Sequence, residues 1–99
     1  MTIAIDFDHT WTADVALWRS FAADAKKRGH DVIIVTARNG WSEDMERYFH
    51  GELPIYYTYG NLKRLHMDNL NIAVDVWIDD VPGSIEPCRK LPEVNVDDM

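Results

Sequence analysis

The chain lacks several features that would place it in large classes of protein. Its single cysteine, Cys88, excludes an internal disulfide and suits a reducing compartment, and we interpret it as a half-buried packing residue. Glycine and proline are sparse and 46% of the residues are hydrophobic, which argues against disordered and fibrous classes. No apolar run approaches the roughly 20 residues that span a bilayer, and the N-terminus has no basic signal segment. We therefore expect a cytoplasmic protein with no membrane partner.

Positive charge is also scarce. Ten Lys and Arg residues stand against 17 Asp and Glu residues, which gives a formal net charge of −7. An acidic surface repels a phosphate backbone, so we expect no non-specific nucleic-acid binding, although a local basic site at Lys63 and Arg64 stays open. The length of 99 residues predicts a single domain over residues 1–99.

Hydrophobic patterning predicts that strands and helices alternate. Apolar runs predict strands at residues 3–7, 32–35, 55–59 and 74–78. Helices are predicted from a cap at Thr12 or Asp14 to about residue 28 before Gly29, at 42–50, at 62–70, and briefly from Pro82. The tail at 91–99 is interpreted as an edge strand or a mobile end. This order predicts an α/β fold, a three-layer α/β/α Rossmann-like arrangement with a mostly parallel central sheet.

Polar residues follow the predicted strands at the point where each strand ends. Ligands of parallel sheets bind beyond the carboxyl ends of the strands, so these residues are expected to meet at one edge. They are Asp6, Asp8, His9 and Thr10 after the first strand, Thr36 and Arg38 after the second, Lys63 in the helix after the third, and Asp79 and Asp80 after the fourth.

Paired acidic residues give this edge its predicted chemistry. Asp6 and Asp8 are two positions apart, so on a strand both carboxylates point to one face. Adding Asp79 or Asp80 makes a cluster of like charges that is costly without a cation. Carboxylate oxygens are the ligands that Mg²⁺ prefers, and Mg²⁺ in proteins commonly serves phosphate chemistry. A magnesium cofactor and a phosphorylated substrate are therefore expected.

These motifs resemble those of the haloacid dehalogenase (HAD)-like phosphatase superfamily over nearly the whole chain. The first motif is an apolar strand followed by Asp-x-Asp-x-Thr, the second a strand ending in Thr, the third a Lys near a helix start, and the fourth an acidic pair after a strand. In this sequence they are Asp6-Phe7-Asp8-His9-Thr10, Val32-Ile33-Ile34-Val35-Thr36, Lys63, and Asp79-Asp80.

The resemblance implies a role for each motif residue. Asp6 is expected to attack phosphorus and form an aspartyl-phosphate, and Asp8 to protonate the leaving oxygen and then accept a proton from water. Thr36 and Lys63 are expected to bind the phosphoryl oxygens, while the motif's Thr10 is assigned to the substrate side of the site.

The resemblance also implies how magnesium is held. The ion is expected between the Asp6 carboxylate, the Asp8 backbone carbonyl and the fourth motif, with Asp79 favoured over Asp80 as the direct ligand. The remaining acid of that pair is expected to orient water or Lys63.

The loops around these motifs indicate the substrate. The intervals from Thr10 to Thr36 and from Thr36 to Lys63 have no room for a cap domain, so the chain resembles a capless member. Capless members are expected to act on large substrates, such as phosphoproteins or nucleic-acid ends, or to use an oligomeric partner as a lid. His9, where Gly is common in the family, is expected to crowd the site, to contact the leaving group, or to be a partly exposed loop residue. Arg38 and Trp41 could bind a substrate phosphate or stack on a base.

Other interpretations stay open. The same residues could form a non-catalytic regulatory module that binds phosphate or metal, because a fold does not establish a function. A receiver domain has a similar acidic set, but its acidic pair comes early in the chain. A zinc protein is disfavoured because the four His residues lack ligand spacing. The four Trp and four Tyr residues exceed what a small core needs, and a homo-oligomer is one hypothesis for them.

Overall fold

A computed structural model describes residues 1–87 of the chain. Within them, four short strands form one sheet in which every neighbouring pair is parallel, in the order β3-β2-β1-β4. The strands are β1 (Thr2–Ile5), β2 (Asp31–Thr36), β3 (Ile55–Tyr57) and β4 (Val76–Ile78). Because β1 and β2 lie in the middle of the sheet, they are almost wholly buried and consist mainly of β-branched residues.

In the described residues, two α-helices and two turns of 3₁₀ helix connect these strands, and a third 3₁₀ turn follows β4. The α-helices are α1 (Val15–Lys27) and α2 (Lys63–Asn69), and the 3₁₀ turns are Trp11–Ala13, Glu43–Arg47 and Pro82–Ser84. The predicted cap of α1 is confirmed, since the Asp14 carboxylate accepts the Leu17 N–H at 3.1 Å. The predicted end is confirmed too, because Gly29 adopts a left-handed φ of 87° directly after the helix.

The core contains two clusters of buried side chains. The larger cluster joins Ile3, Ile5 and Ile34 to Ala22 and Ala25 of α1. The smaller one is Ala4, Ile33, Val35 and Met67, the last from α2. Alternate residues of β1 and β2 therefore pack into different clusters, as the two faces of a pleated strand require.

The predicted helix at 42–50 is wrong. The segment forms only the 3₁₀ turn Glu43–Arg47, in which Met45 is buried. The side chains that could have begun a longer helix are bonded elsewhere, because Ser42 and Asp44 both accept hydrogen bonds from Arg38. Without a capped first turn, a helix this short has little to stabilise it.

All four strands differ from the predicted bounds, and β2 is one residue longer at each end than the predicted 32–35. β1 ends at Ile5 rather than at residue 7, and β4 begins at Val76 rather than at residue 74. β3 ends at Tyr57 rather than at residue 59, and Tyr59 has a φ of 56°, which no strand tolerates. The predicted short helix at Pro82 is confirmed as a 3₁₀ turn. The predictions for Cys88 and for residues 91–99 lie outside the described residues.

The predicted class is confirmed at the level of an α/β fold with an all-parallel four-stranded sheet and two helices, which is compatible with a Rossmann-like arrangement. Among the helices of residues 1–87, none is long and apolar enough to cross a membrane.

Candidate functional site

A cavity of about 190 Å³ lies where β1 and β4 end and α2 begins. Its lining includes Asp6, Asp8, His9, Lys63, Asp79 and Asp80. The parallel order of the sheet explains this convergence, because parallel strands deliver the residues that follow them to the same edge. Six of the ten site residues predicted from the sequence therefore meet around one cavity.

Lys63 is the central cation of this cavity. It is the first residue of α2, and its side chain is only 2% exposed. Its Nζ lies 2.8 Å from Asp6 Oδ1 and 2.6 Å from Asp79 Oδ2. The neighbouring Arg64 instead pairs with Glu86 at the surface. Between the two basic residues considered from the sequence, the structure thus brings Lys63 to the acids.

A third carboxylate, that of Asp80, lies close to the two acids that Lys63 binds. Oxygens of Asp6, Asp79 and Asp80 all lie within 4.8 Å of one another. Ionised together, three carboxylates against one ammonium leave excess negative charge at a site that is only partly open to water. Hard oxygen donors at this spacing fit a small divalent cation such as Mg²⁺, which would neutralise that excess. The donor set therefore fits the expected metal.

The protonation of the acids reflects the same crowding. Burial raises the pKa of Asp6 to about 6, although Lys63 opposes the shift, and the nearby charge of Asp79 adds to it. A hydrogen bond with Asp6 lowers the pKa of Asp80, and the Thr10 hydroxyl contributes in the same direction. Burial and crowding therefore favour the protonated form of Asp6, while the contacts of Asp80 favour its ionised form.

The hydroxyl group of Thr10 contacts both of these acids. Its hydroxyl lies 3.1 Å from Asp80 Oδ1 and 3.4 Å from Asp6 Oδ2, so its one proton can be donated to either carboxylate. The Thr10 oxygen also accepts the Asp80 N–H at 3.3 Å. In this buried position, Thr10 holds two candidate metal ligands together.

Asp79 and Asp80 have different surroundings. Asp79 Oδ2 accepts from Lys63 and, at 3.3 Å, from the Ser84 hydroxyl, and Oδ1 accepts the Val81 N–H at 2.9 Å. Asp79 is thus the acid that orients Lys63, whereas the sequence favoured Asp79 as the direct metal ligand and gave this orienting role to the other acid of the pair. Asp80 is the more exposed of the two, so its carboxylate is freer to bind a cation.

Asp8 lines the cavity, but its carboxylate is paired with Arg38. Arg38 donates from Nε to Asp8 Oδ2 at 2.9 Å and from Nη2 to Asp8 Oδ1 at 2.8 Å. This two-point contact lowers the pKa of Asp8, so the carboxylate is held ionised. Among the described residues, the cluster of oxygens that could hold a metal does not include the Asp8 carboxylate.

The guanidinium group of Arg38 donates all of its hydrogen bonds to acceptors within the protein. Besides Asp8, it donates from Nη1 to Ser42 Oγ at 2.8 Å and from Nη1 and Nη2 to Asp44 at 3.1 and 3.0 Å. A guanidinium has five N–H groups, and these contacts use all five. In this arrangement Arg38 fixes Asp8 and the following loop, and has no donor left for a phosphate.

The remaining predicted residues lie at the rim or outside the cavity. Thr36 is buried at the end of β2, where its hydroxyl accepts the Arg38 N–H at 3.3 Å, and it does not line the cavity. His9 is exposed, lines the cavity and has a left-handed φ of 64°. Trp41 is 49% exposed and lines a neighbouring groove instead.

Two residues that touch this machinery were not identified from the sequence. Ser84 binds Asp79, and Asp44 binds Arg38. Asp44 stood out in the sequence as an acid near the start of a predicted helix. That position indicated a helix terminus and not a partner for Arg38. Ser84 follows Pro82 and Gly83 in an ordinary turn, and nothing in that pattern points to Asp79.

No protein-family model matches this chain, and comparison with curated proteins and with solved structures found no match. The functional argument therefore depends on the residues and their geometry.

Replacing Lys63 with Met tests whether its ammonium compensates the buried acids. We expect the free energy of unfolding in metal-free buffer at pH 7.5 to fall by about 3 kcal/mol, because two carboxylates lose their buried partner. Arg64→Met is the matched control, since it removes a surface ion pair and a cation–π contact with Trp77, each worth about 1 kcal/mol or less. Urea unfolding of both variants measures the difference, and equal small losses would contradict the role given to Lys63.

The raised pKa of Asp6 has a direct spectroscopic consequence. Since this pKa lies near 6, Asp6 is mostly neutral at pH 5 and mostly ionised at pH 7. Carboxyl-carbon NMR of metal-free protein labelled at Asp should show one group titrating near pH 6, and Asp6→Asn should lack it. Titration of every Asp at or below its ordinary range would show that burial does not govern this group.

Proposed function

We propose that the chain is a magnesium-dependent phosphomonoester hydrolase of the haloacid dehalogenase type, without a cap domain, that acts through an aspartyl-phosphate on Asp6. One observation carries the proposal: the buried ammonium of Lys63 lies between Asp6 and Asp79, and an oxygen of Asp80 lies within 4.8 Å of oxygens of both acids. A nucleophilic carboxylate, a cation for phosphoryl oxygens and a set of metal ligands thereby share one cavity. The substrate is a phosphorylated protein, nucleotide or nucleic-acid end.

The packing of the helices supports the three-layer arrangement in this proposal. α1 contributes Ala22 and Ala25 to the cluster that contains Ile3 and Ile5. α2 contributes Met67 to the cluster of Ala4, which points to the other face of β1. A helix on each face of a parallel sheet is the layer pattern of Rossmann-like folds.

The first half of the proposed reaction uses Asp6 and Lys63. An oxygen of the Asp6 carboxylate attacks phosphorus, a new O–P bond forms, and the ester P–O bond breaks opposite to it. Lys63 is positioned to bind the phosphoryl oxygens, because its Nζ lies 2.8 Å from the attacking carboxylate. Asp6, Asp80 and the Asp8 backbone carbonyl would hold Mg²⁺, which when bound neutralises charge between the anionic nucleophile and the anionic ester.

Asp8 has a clearer role in the second half. The contact with Arg38 favours the ionised carboxylate, which is the form that accepts a proton from the water attacking the aspartyl-phosphate. To protonate a leaving group in the first half, Asp8 must take up a proton against that contact. Good leaving groups, which need no proton, should therefore react more readily.

A second candidate is a non-catalytic regulatory module that binds phosphate or metal. The hydrogen bonds of Arg38 to Asp8, Ser42 and Asp44 favour this candidate. They hold Asp8, the expected acid–base residue, in its ionised form. The complete set of Asp6, Lys63, Asp79 and Asp80 favours the enzyme instead, since a binding module does not need a nucleophile beside a phosphate-binding ammonium.

Hydrolysis of p-nitrophenyl phosphate separates the two candidates. We expect turnover by the wild type with Mg²⁺, none with EDTA, and a loss in Asp6→Asn of about a thousandfold or more, because the nucleophile is gone. Asp24→Asn is the matched control, since Asp24 lies on the exposed side of α1 and should keep the activity.

Full activity in Asp6→Asn would contradict the proposed mechanism. If the wild type shows no turnover yet binds inorganic phosphate only with Mg²⁺ in calorimetry, the regulatory module is the better account.

A further inference from the structure

A groove of about 610 Å³ runs beside the catalytic cavity, along the loop of residues 37–42 that follows β2. Ala37 lines both the groove and the cavity. Arg38 lines the groove and also binds Asp8, which forms part of the cavity wall. The two spaces therefore adjoin at Ala37, so a molecule with its phosphate beside Asp6 lies next to the loop.

Trp41 presents an aromatic ring to this groove. Its side chain is 49% exposed, and it belongs to neither cluster of the core. An indole ring left half in water offers a large apolar face to a flat ligand. Trp11, by contrast, is fully buried and donates its ring N–H to the Tyr48 carbonyl at 2.7 Å.

The loop that carries Trp41 is held in place from two sides. Arg38 ties it to Asp8 and to Ser42, the residue directly after Trp41. Two backbone hydrogen bonds tie its beginning to the loop after β3, from the Gly60 N–H to the Ala37 carbonyl at 2.9 Å and from Tyr59 to Arg38 at 3.4 Å. Because the loop is already held in place, a ligand that stacks on Trp41 loses little free energy to ordering it.

The chemistry of the two spaces selects one class of ligand. The cavity suits a phosphate, and the exposed ring suits a flat aromatic group at a distance from it, as in a nucleotide, where a sugar separates base and phosphate. Every nucleobase has a face that stacks on an aromatic side chain. A net charge of −7 disfavours a long strand, because each further phosphate adds repulsion.

We propose that Trp41 is a base-stacking subsite and that the substrate is a nucleoside monophosphate with its phosphate beside Asp6. This inference rests on the proposed phosphohydrolase function and names its substrate class. Arg38 serves as a positioning residue for the loop and does not contact the phosphate.

The test compares adenosine 5′-monophosphate with ribose 5-phosphate, which lacks only the base. We expect the wild type to prefer the nucleotide in kcat/KM by about tenfold or more, the usual size of one base–aromatic stack. Trp41→Leu should lose this preference and Trp41→Phe should keep most of it. Tyr59→Leu is the matched control, because Tyr59 is also exposed but packs beside His66.

Binding makes the test independent of turnover. Calorimetry with Asp6→Asn and Mg²⁺ should show the same preference for the nucleotide, and its loss when Trp41→Leu is added, even if hydrolysis fails. Equal binding of both ligands, or an equal loss in Tyr59→Leu, would overturn the subsite. A Trp41-dependent preference for phosphotyrosine over phosphoserine, without one for the nucleotide, would overturn the nucleotide assignment while leaving the phosphohydrolase proposal intact.

Discussion

The buried ion pairs of Lys63 hold the candidate site together. Asp6 and Asp79 follow different strands, and Lys63 begins α2, so one ammonium group joins three elements that are distant in the sequence. Desolvating these charges is costly, and the cost is offset only while the partners stay within hydrogen-bond distance. One ammonium does not balance three carboxylates, so the same constraint that gathers the acids also creates the demand for a cation at Asp6 and Asp80.

A second cation organises the rim. Arg38 joins Asp8 to the loop of Ser42 and Asp44, and it lies over the ring of Phe7. Its side chain is 26% exposed, against 2% for Lys63, so water screens its ion pairs more strongly and each is worth less. The centre of the site therefore depends on the buried ion pairs of Lys63. The rim depends on the more exposed ion pairs of Arg38, which can exchange partners at lower cost in free energy.

The sequence predicted the arrangement of the site better than its contacts. Alternating strands and helices, with acids at strand ends, were enough to predict that Asp6, Asp79, Asp80 and Lys63 meet at one edge, because parallel topology alone dictates it. The partner of Arg38 was not predictable in this way: a guanidinium binds a phosphate or a carboxylate equally well, and only the folded positions of Asp8 and Asp44 decide. The same residue explains the missing helix at 42–50, since Arg38 binds the side chains of Ser42 and Asp44 that could have capped it.

Trapping the covalent intermediate tests the central claim most directly. Wild-type protein is mixed with Mg²⁺ and p-nitrophenyl phosphate, quenched with borohydride, digested and analysed by mass spectrometry. An aspartyl-phosphate is an acyl phosphate, which borohydride reduces to an alcohol, so the account predicts homoserine at position 6 in the wild type. Phosphate release with Asp6 recovered unmodified, or homoserine at Asp8 instead, would contradict the account.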